Sequence, residues 1–241
     1  MIKTNTNMEH HIFDIETKPY SDEEILKNAK PFSKDDVKLG NLKDPEKIEA
    51  KLEAAEGIYK AGLLDKAALD PHTSSICAIG INERNTDNVK LLLGEERDIL
   101  MEFWAIFRGT SEAWCFWSGS NDKTAFDPRH IITRSWKLGI PTAWRVVSKR
   151  GFLTDRFVDI TQTYLFGASY PSYCSAEKAA EQLGLIGTQS GCGMVKSKQA
   201  LKASGVEGKN FHEVLESNLE LALEYLKNDV ALERAIAERI L

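Results

Sequence analysis

The chain has 241 residues, of which 42% are hydrophobic and 28% are charged, and its formal net charge is −5. This length and composition are typical of one large globular domain, and no run approaches the roughly 20 apolar residues of a membrane span. The net negative charge argues against a protein that coats duplex DNA with a broad basic face. It is compatible with an enzyme that meets phosphate through bound cations.

The amino-terminal segment and the cysteines both predict an intracellular protein. Residues 1–7 are polar and lack the basic and apolar regions of a secretory signal, so we expect a cytoplasmic location and no membrane partner. The cysteines are scattered without a C-x-x-C pair, which favours reduced thiols over a disulfide framework or a zinc site. They are Cys77, Cys115, Cys174 and Cys192.

The first half of the chain predicts three strands and a helical insert. Residues 11–15 predict a short buried strand, and the T-K-P sequence at residues 17–19 ends it. Residues 20–70 predict a charged, helix-rich segment. Within that segment Asp44 and Pro45 predict a helix start, with Asp at the cap and Pro in the first turn. Two further strands, joined by a polar turn, are predicted at residues 74–82 and 88–93.

The second half of the chain is mostly helical. Helices are predicted at residues 95–108, 126–138 and 175–183, and short strands at residues 112–117 and 157–160. Residues 192–229 predict mostly helix with a break near 205–208, and residues 211–241 predict one long terminal helix. Helices between early strands indicate an α/β fold, with a mixed sheet and helices on both faces.

Two carboxylates of the first predicted strand are the first candidate site residues. Side chains alternate along a strand, so Asp14 and Glu16 share one face, roughly 7 Å apart, while Phe13 and Ile15 face a core. Two carboxylates beside buried aliphatics are costly unless a cation lies between them. Such oxygen ligands suit Mg²⁺ or Mn²⁺. The alternative is that both carboxylates meet water at the end of the strand.

The terminal helix supplies a second group of candidates. Tyr225 and Asp229 are spaced by four and lie beside the predicted apolar stripe of the helix, at the edge of its buried face. That stripe consists of Leu219, Leu223, Leu226 and Val230. This edge is where the wall of a cleft would lie. A Tyr–Asp pair at this spacing is also common between ordinary surface neighbours.

Asp127 is the remaining acidic candidate. It lies between Phe126 and Pro128, where a polar loop becomes a helix, and this context predicts a helix N-cap. Capping and metal binding do not exclude each other.

The candidate acids occur within an ordered set of short motifs. D-I-E-T-K-P begins at Asp14, F-D begins at Phe126, and Y-x₃-D begins at Tyr225. Together they resemble the motifs of the DEDD superfamily of 3′–5′ exonucleases, in its tyrosine-bearing (DEDDy) branch. The likeness is greatest to stand-alone phage and bacterial relatives of the proofreading domain of family B DNA polymerases. It continues through F-D-P-R-H-I-I-T-R-S-W-K-L-G-I-P and A-E-K-A-A-E-Q-L-G-L, and excludes the insert.

This resemblance implies a fold and a set of site residues. The fold would be ribonuclease-H-like: a mixed five-stranded sheet flanked by helices, in a single exonuclease domain spanning residues 1–241. Two divalent cations, Mg²⁺ or Mn²⁺, would be held by Asp14, Glu16, Asp127 and Asp229, and Tyr225 would orient the attacking water. Substrate contacts are expected at Thr17, Asn121, Phe126 and Arg134.

The expected function is hydrolysis of single-stranded DNA from its 3′ end. A 3′–5′ exoribonuclease of the same fold and a non-catalytic nucleic-acid-binding relative are the alternatives. No polymerase motif accompanies the predicted nuclease, so any proofreading role would need a separate polymerase or replication partner. The insert at residues 20–70 would be either a lid or strand guide, with Lys38 and Lys43 meeting phosphates, or a solvated helical excursion.

Overall fold

A five-stranded mixed sheet forms the centre of the protein. The computed structural model describes residues 10–84, 86–118, 125–143, 146–147, 153–166 and 173–241. The strands lie in the order β3-β2-β1-β4-β5. They are β1 (His11–Pro19), β2 (Ser74–Asn82), β3 (Val89–Leu93), β4 (Trp114–Phe116) and β5 (Phe157–Asp159). Strand β4 is parallel to β1 and β5, whereas β2 and β3 are antiparallel. The predicted α/β class is confirmed, and the arrangement is consistent with a ribonuclease-H-like fold.

Nine α-helices are present in the described part of the chain. They are α1 (Asp22–Asn28), α2 (Pro45–Asp65), α3 (Glu96–Arg108), α4 (Phe126–Lys137), α5 (Ile160–Tyr164), α6 (Ala176–Gln182), α7 (Lys198–Ala203), α8 (Phe211–Ser217) and α9 (Leu219–Ile240). Two short strands, β6 (Gln189–Ser190) and β7 (Gly193–Met194), form a separate antiparallel pair. No helix among the described residues combines the length and the apolar character that crossing a membrane requires.

Helices cover both faces of the sheet, and the alternation of β1 explains how. Phe13 packs in one core with Phe103 of α3 and Ile131 of α4. Its neighbour Ile12 packs in a second core with Val230 of α9. Successive side chains of a strand point to opposite faces, so these two contacts place α3 and α4 on one face and α9 on the other.

The chain divides into two compact units, one formed by residues 1–18 and 76–241 and the other by residues 19–75. The second unit contains α1 and α2, which lie in the segment predicted to be helix-rich, residues 20–70. Helix α2 begins where the sequence predicted, because the Asp44 side chain accepts a hydrogen bond of 3.1 Å from the backbone N–H of Glu46, and Pro45 follows. The rings of Phe32 and Tyr59 pack within this unit, with centroids 5.7 Å apart.

Helix α9 packs closely on β2 at Gly80. A Cβ atom added there would lie 2.8 Å from Cγ2 of Val230 and 3.1 Å from Cγ of Leu226. Real Cβ atoms do not approach so closely, so the missing side chain lets the helix reach the strand. This contact fixes the distance of α9 from the sheet, and hence the position of the polar residues that α9 presents beside β1.

The carboxyl-terminal third differs from the prediction in three places. The predicted helix at residues 211–241 is two helices, because Asn218 leaves helical geometry (φ −147°, ψ 79°) and its side chain caps α9 by accepting from the N–H of Leu221. Residues 193–194 form β7 instead of helix. Leu219, assigned to the apolar stripe, is 52% exposed, because it stands at the first turn of α9.

Candidate metal centre

Three carboxylates converge beside the middle of β1. One oxygen each of Asp14, Glu16 and Asp229 lies within 4.8 Å of the other two. Asp14 and Glu16 reach this point from β1, while Phe13 and Ile15 lie in the core on the opposite face, as the alternation predicted. Asp229 arrives from α9, more than 200 residues later in the chain. Glu16 and Asp229 are buried, at 7% exposure each.

Asp127 lies beside this group, although its local role differs from the one predicted. Helix α4 begins at Phe126 and Ala125 is its cap residue, so Asp127 lies inside the first turn and is not the N-cap. Its Oδ1 instead accepts a hydrogen bond of 3.3 Å from the backbone N–H of Ile15. The carboxylate therefore faces β1 between the two acidic positions of that strand.

One lysine neutralises part of the cluster. Nζ of Lys198, in α7, lies 2.7 Å from Oδ2 of Asp229 and 5.2 Å from the ring centroid of Tyr225. The other oxygen, Oδ1 of Asp229, is buried and has no hydrogen-bond partner among the described residues. An unpaired buried carboxylate oxygen is costly, and it marks a place where a cation would be stabilising.

Burial raises the pKa of each of the four acids, and repulsion within the cluster raises it further for Asp14 and Glu16. Burial, then the charges of Asp229 and Asp127, raise the pKa of Asp14 well above its ordinary range. The pKa of Glu16 is also raised well above its ordinary range, first by burial and then by the charges of Asp14 and Asp229. Burial raises the pKa of Asp127 to about 7, and it raises that of Asp229 despite the opposing effect of Lys198. Without cations, the cluster resists holding its full negative charge.

Tyr225 lies on the Glu16 side of the cluster. A Cβ placed on Gly208 would lie 3.7 Å from the Tyr225 hydroxyl oxygen and 3.8 Å from Oε2 of Glu16, so both atoms border the same small space. The Tyr225 ring is 4% exposed, whereas the sequence placed it at the edge of a buried face. Burial, then the charge of Asp229, raise the pKa of this phenol well above its ordinary value, so the hydroxyl keeps its proton.

The residues expected to contact substrate have different surroundings. Arg134 is 3% exposed and holds Glu96, with Nε 2.8 Å from Oε1 and Nη2 2.5 Å from Oε2. The Arg134 guanidinium is therefore buried and paired with Glu96, whereas a direct contact with substrate needs an exposed group. Phe126 is partly buried against His130, with ring centroids 4.2 Å apart, and Thr17 is 6% exposed. Asn121 lies outside the described residues.

The sequence reasoning missed two charged residues at this site. Glu233 is 4% exposed, and its charge interacts with Asp14, Asp127 and Asp229. Its spacing was a usable signal, because Glu233 continues the four-residue interval from Tyr225 to Asp229. Lys198 had no local signal, since its contact joins residues 31 positions apart in different helices.

Comparison with known proteins adds no family assignment. The sequence matches no protein-family model and no curated protein. The interpretation of the site therefore depends on the motif resemblance and on the geometry of its side chains.

Proposed function

We propose that this protein is a metal-dependent 3′–5′ exonuclease that hydrolyses phosphodiester bonds of single-stranded DNA with two divalent cations. The observation that carries the proposal is the convergence of Asp14, Glu16 and Asp229, with ligand oxygens within 4.8 Å of one another. Asp127 would supply the fourth carboxylate. Its Oδ1 accepts a hydrogen bond from the backbone N–H of Ile15, which lies between the two acids of β1. The preference for DNA and for the 3′ end comes from the motif resemblance.

The donor set fits hard divalent cations. All four candidate ligands are carboxylates, which suit Mg²⁺ and Mn²⁺. The buried Oδ1 of Asp229, which has no hydrogen-bond partner in the described part of the chain, is an oxygen that a cation would satisfy. Burial, and then repulsion between the carboxylates, raise the pKa values of Asp14 and Glu16. Four carboxylates balance the charge of two divalent cations, so bound cations would remove that repulsion.

The chain's own residues would position the reaction. Bound cations would lower the pKa of the attacking water. They would also stabilise the negative charge on the phosphate and on the departing 3′ oxygen. Tyr225, which keeps its phenolic proton, can donate a hydrogen bond that orients the water. Lys198 pairs with Oδ2 of Asp229, and Oδ1, which has no hydrogen-bond partner among the described residues, is the oxygen left for a cation.

The test follows labelled strands over time. Strands of DNA and RNA, labelled at the 3′ or the 5′ end, are incubated with Mg²⁺, Mn²⁺ or chelator. We expect stepwise loss from the 3′ end of DNA with either cation and none with chelator. Faster trimming of RNA would favour the exoribonuclease alternative, and binding without trimming would favour a non-catalytic relative.

Variants link the activity to the cluster. Asp14→Asn and Asp229→Asn should each abolish trimming while the protein remains folded, because each removes a ligand charge without changing side-chain volume. Glu224→Gln is the matched control, since Glu224 is on the same helix as Asp229 but pairs with Lys196 at the surface. Trimming at the parental rate by either aspartate variant would rule out the assigned site.

A further inference from the structure

A fifth carboxylate, itself buried, lies beside the candidate metal centre. Glu233 follows Asp229 by one turn of α9 and is 4% exposed. Its Oε2 is buried and has no hydrogen-bond partner among the described residues. A buried carboxylate oxygen without a partner is uncommon in folded proteins, and a bound ion or its water is one physical reason for it.

Glu233 shares a cavity with two of the candidate ligands. The cavity has a volume of about 180 Å³, and its lining includes Asp14, Asp229, Glu233 and Lys198. Glu16 and Tyr225 are not among the described residues that line it. Those two residues instead lie near Gly208, where a Cβ would be 3.8 Å from Oε2 of Glu16 and 3.7 Å from the Tyr225 hydroxyl oxygen.

We propose that Glu233 helps to hold a hydrated divalent cation in this cavity, by accepting hydrogen bonds from the water of a cation bound to Asp14 and Asp229. This inference rests on the proposed function, which supplies the cation. It adds Glu233 as the residue that binds the water of that cation. Glu233 is not part of the group whose oxygens lie within 4.8 Å of one another, so water is the intermediary.

The size and charge of the cavity support this role. Mg²⁺ keeps several of its waters when proteins bind it, and a cavity of about 180 Å³ has room for a cation with bound water. The other charged group in the described lining, the Lys198 ammonium, already pairs with Oδ2 of Asp229. Oδ1 of Asp229 and Oε2 of Glu233 thus remain as acceptors on residues that line this space.

Manganese binding provides a test that does not depend on nuclease activity. The full chain is titrated with Mn²⁺ and bound and free ions are distinguished by electron paramagnetic resonance. Glu233→Gln should weaken the binding of one Mn²⁺ by about 10- to 100-fold, the usual effect of losing a residue that supports a metal from its outer shell. The metal-free variant should melt at a temperature at least as high as the parent, because a buried like charge has been removed.

Two further variants complete the design. Glu220→Gln, an exposed position on the same helix, should bind Mn²⁺ like the parent. Glu233→Met fills similar space without a polar atom and replaces Glu233→Gln if that variant does not fold. Parental Mn²⁺ affinity in either folded Glu233 variant would overturn the proposal.

The outcomes separate this inference from the proposed function. If the parent binds Mn²⁺ through Glu233 but trims no strand, the nuclease proposal fails and this inference stands. If the parent trims DNA and the Glu233 variants bind Mn²⁺ as it does, this inference alone fails. A parent protein that binds no Mn²⁺ at all would contradict both.

Discussion

The ammonium of Lys198 lies 2.7 Å from Oδ2 of Asp229, and the two side chains are only 21% and 8% exposed. This ion pair joins α7 to α9 within a group of carboxylates. It satisfies one oxygen of Asp229 and leaves Oδ1 without a hydrogen-bond partner among the described residues. Lys198 thereby lowers the cost of the acidic cluster when no cation is bound.

Replacing Lys198 should therefore destabilise the metal-free protein. We expect Lys198→Met to lower the free energy of unfolding of the metal-free protein on the order of 3 kcal/mol, because it leaves a buried carboxylate uncompensated. Saturating Mn²⁺ should restore more stability to this variant than to the parent. Urea denaturation with chelator and with Mn²⁺ measures both effects. Lys196→Met is the control, since Lys196 pairs with Glu224 at half-exposed positions and should change stability by less than about 1 kcal/mol.

The stability of the metal-free protein should fall as pH rises through the weakly acidic range. Burial raises the pKa of Asp127 from 3.8 to about 7. Between these values the folded state holds more protons than the unfolded state, so the free energy of unfolding decreases as pH increases. Urea denaturation across this range, in chelator, measures the slope. Asp127→Asn should reduce the decrease, and a slope equal to that of the parent would contradict the assignment to Asp127.

Removal of the Tyr225 hydroxyl should separate catalysis from metal binding. In Tyr225→Phe the ring can keep its packing against Phe211, at a centroid distance of 6.1 Å, and its contact with Lys198. We therefore expect a folded protein with parental Mn²⁺ affinity and trimming slowed roughly 100-fold, the lower end of the loss seen when one active-site hydrogen-bond donor is removed. Single-turnover trimming and a Mn²⁺ titration measure the two properties. An unchanged rate would remove Tyr225 from the reaction.

The close approach of α9 to β2 predicts an effect of Gly80→Ala. The added methyl would lie 2.8 Å from Cγ2 of Val230, so strand and helix must separate at a cost of about 1–3 kcal/mol. Because Asp229 directly precedes Val230, Mn²⁺ affinity should decrease as well. The same change at Gly62 in α2, where a Cβ would meet no atom within 4 Å, should raise stability by up to about 1 kcal/mol. Equal effects at the two glycines would contradict the packing argument.

Local patterns in the sequence were enough to predict most helices and strands. The predicted strand at residues 74–82 has the bounds of β2, and Asp44 caps α2 as expected. Helix α6 lies within the predicted helix at residues 175–183, and Ser175 caps it by accepting a hydrogen bond from the N–H of Lys178. These features depend on hydrophobic period and on hydrogen bonds between residues a few positions apart, which the sequence displays directly.

Local sequence patterns did not predict features that depend on contacts between residues far apart in the chain. Asp127 looked like a helix cap, but its carboxylate bonds to the backbone of β1, 112 residues earlier in the chain. Arg134, which was expected to contact substrate, pairs with Glu96 in the fold. The partners of both side chains depend on contacts that only the packed fold creates.

The sequence by itself determined which acids could act together: it placed Asp14 and Glu16 on one face of a strand and Tyr225 and Asp229 on one side of a helix, because strand and helix periods are local. Only the tertiary structure decided that these groups meet, that Lys198 neutralises one of them, and that Glu233 joins them. The physical reason is that Gly80 lets α9 pack close to the sheet, which brings carboxylates from both ends of the chain to one buried place.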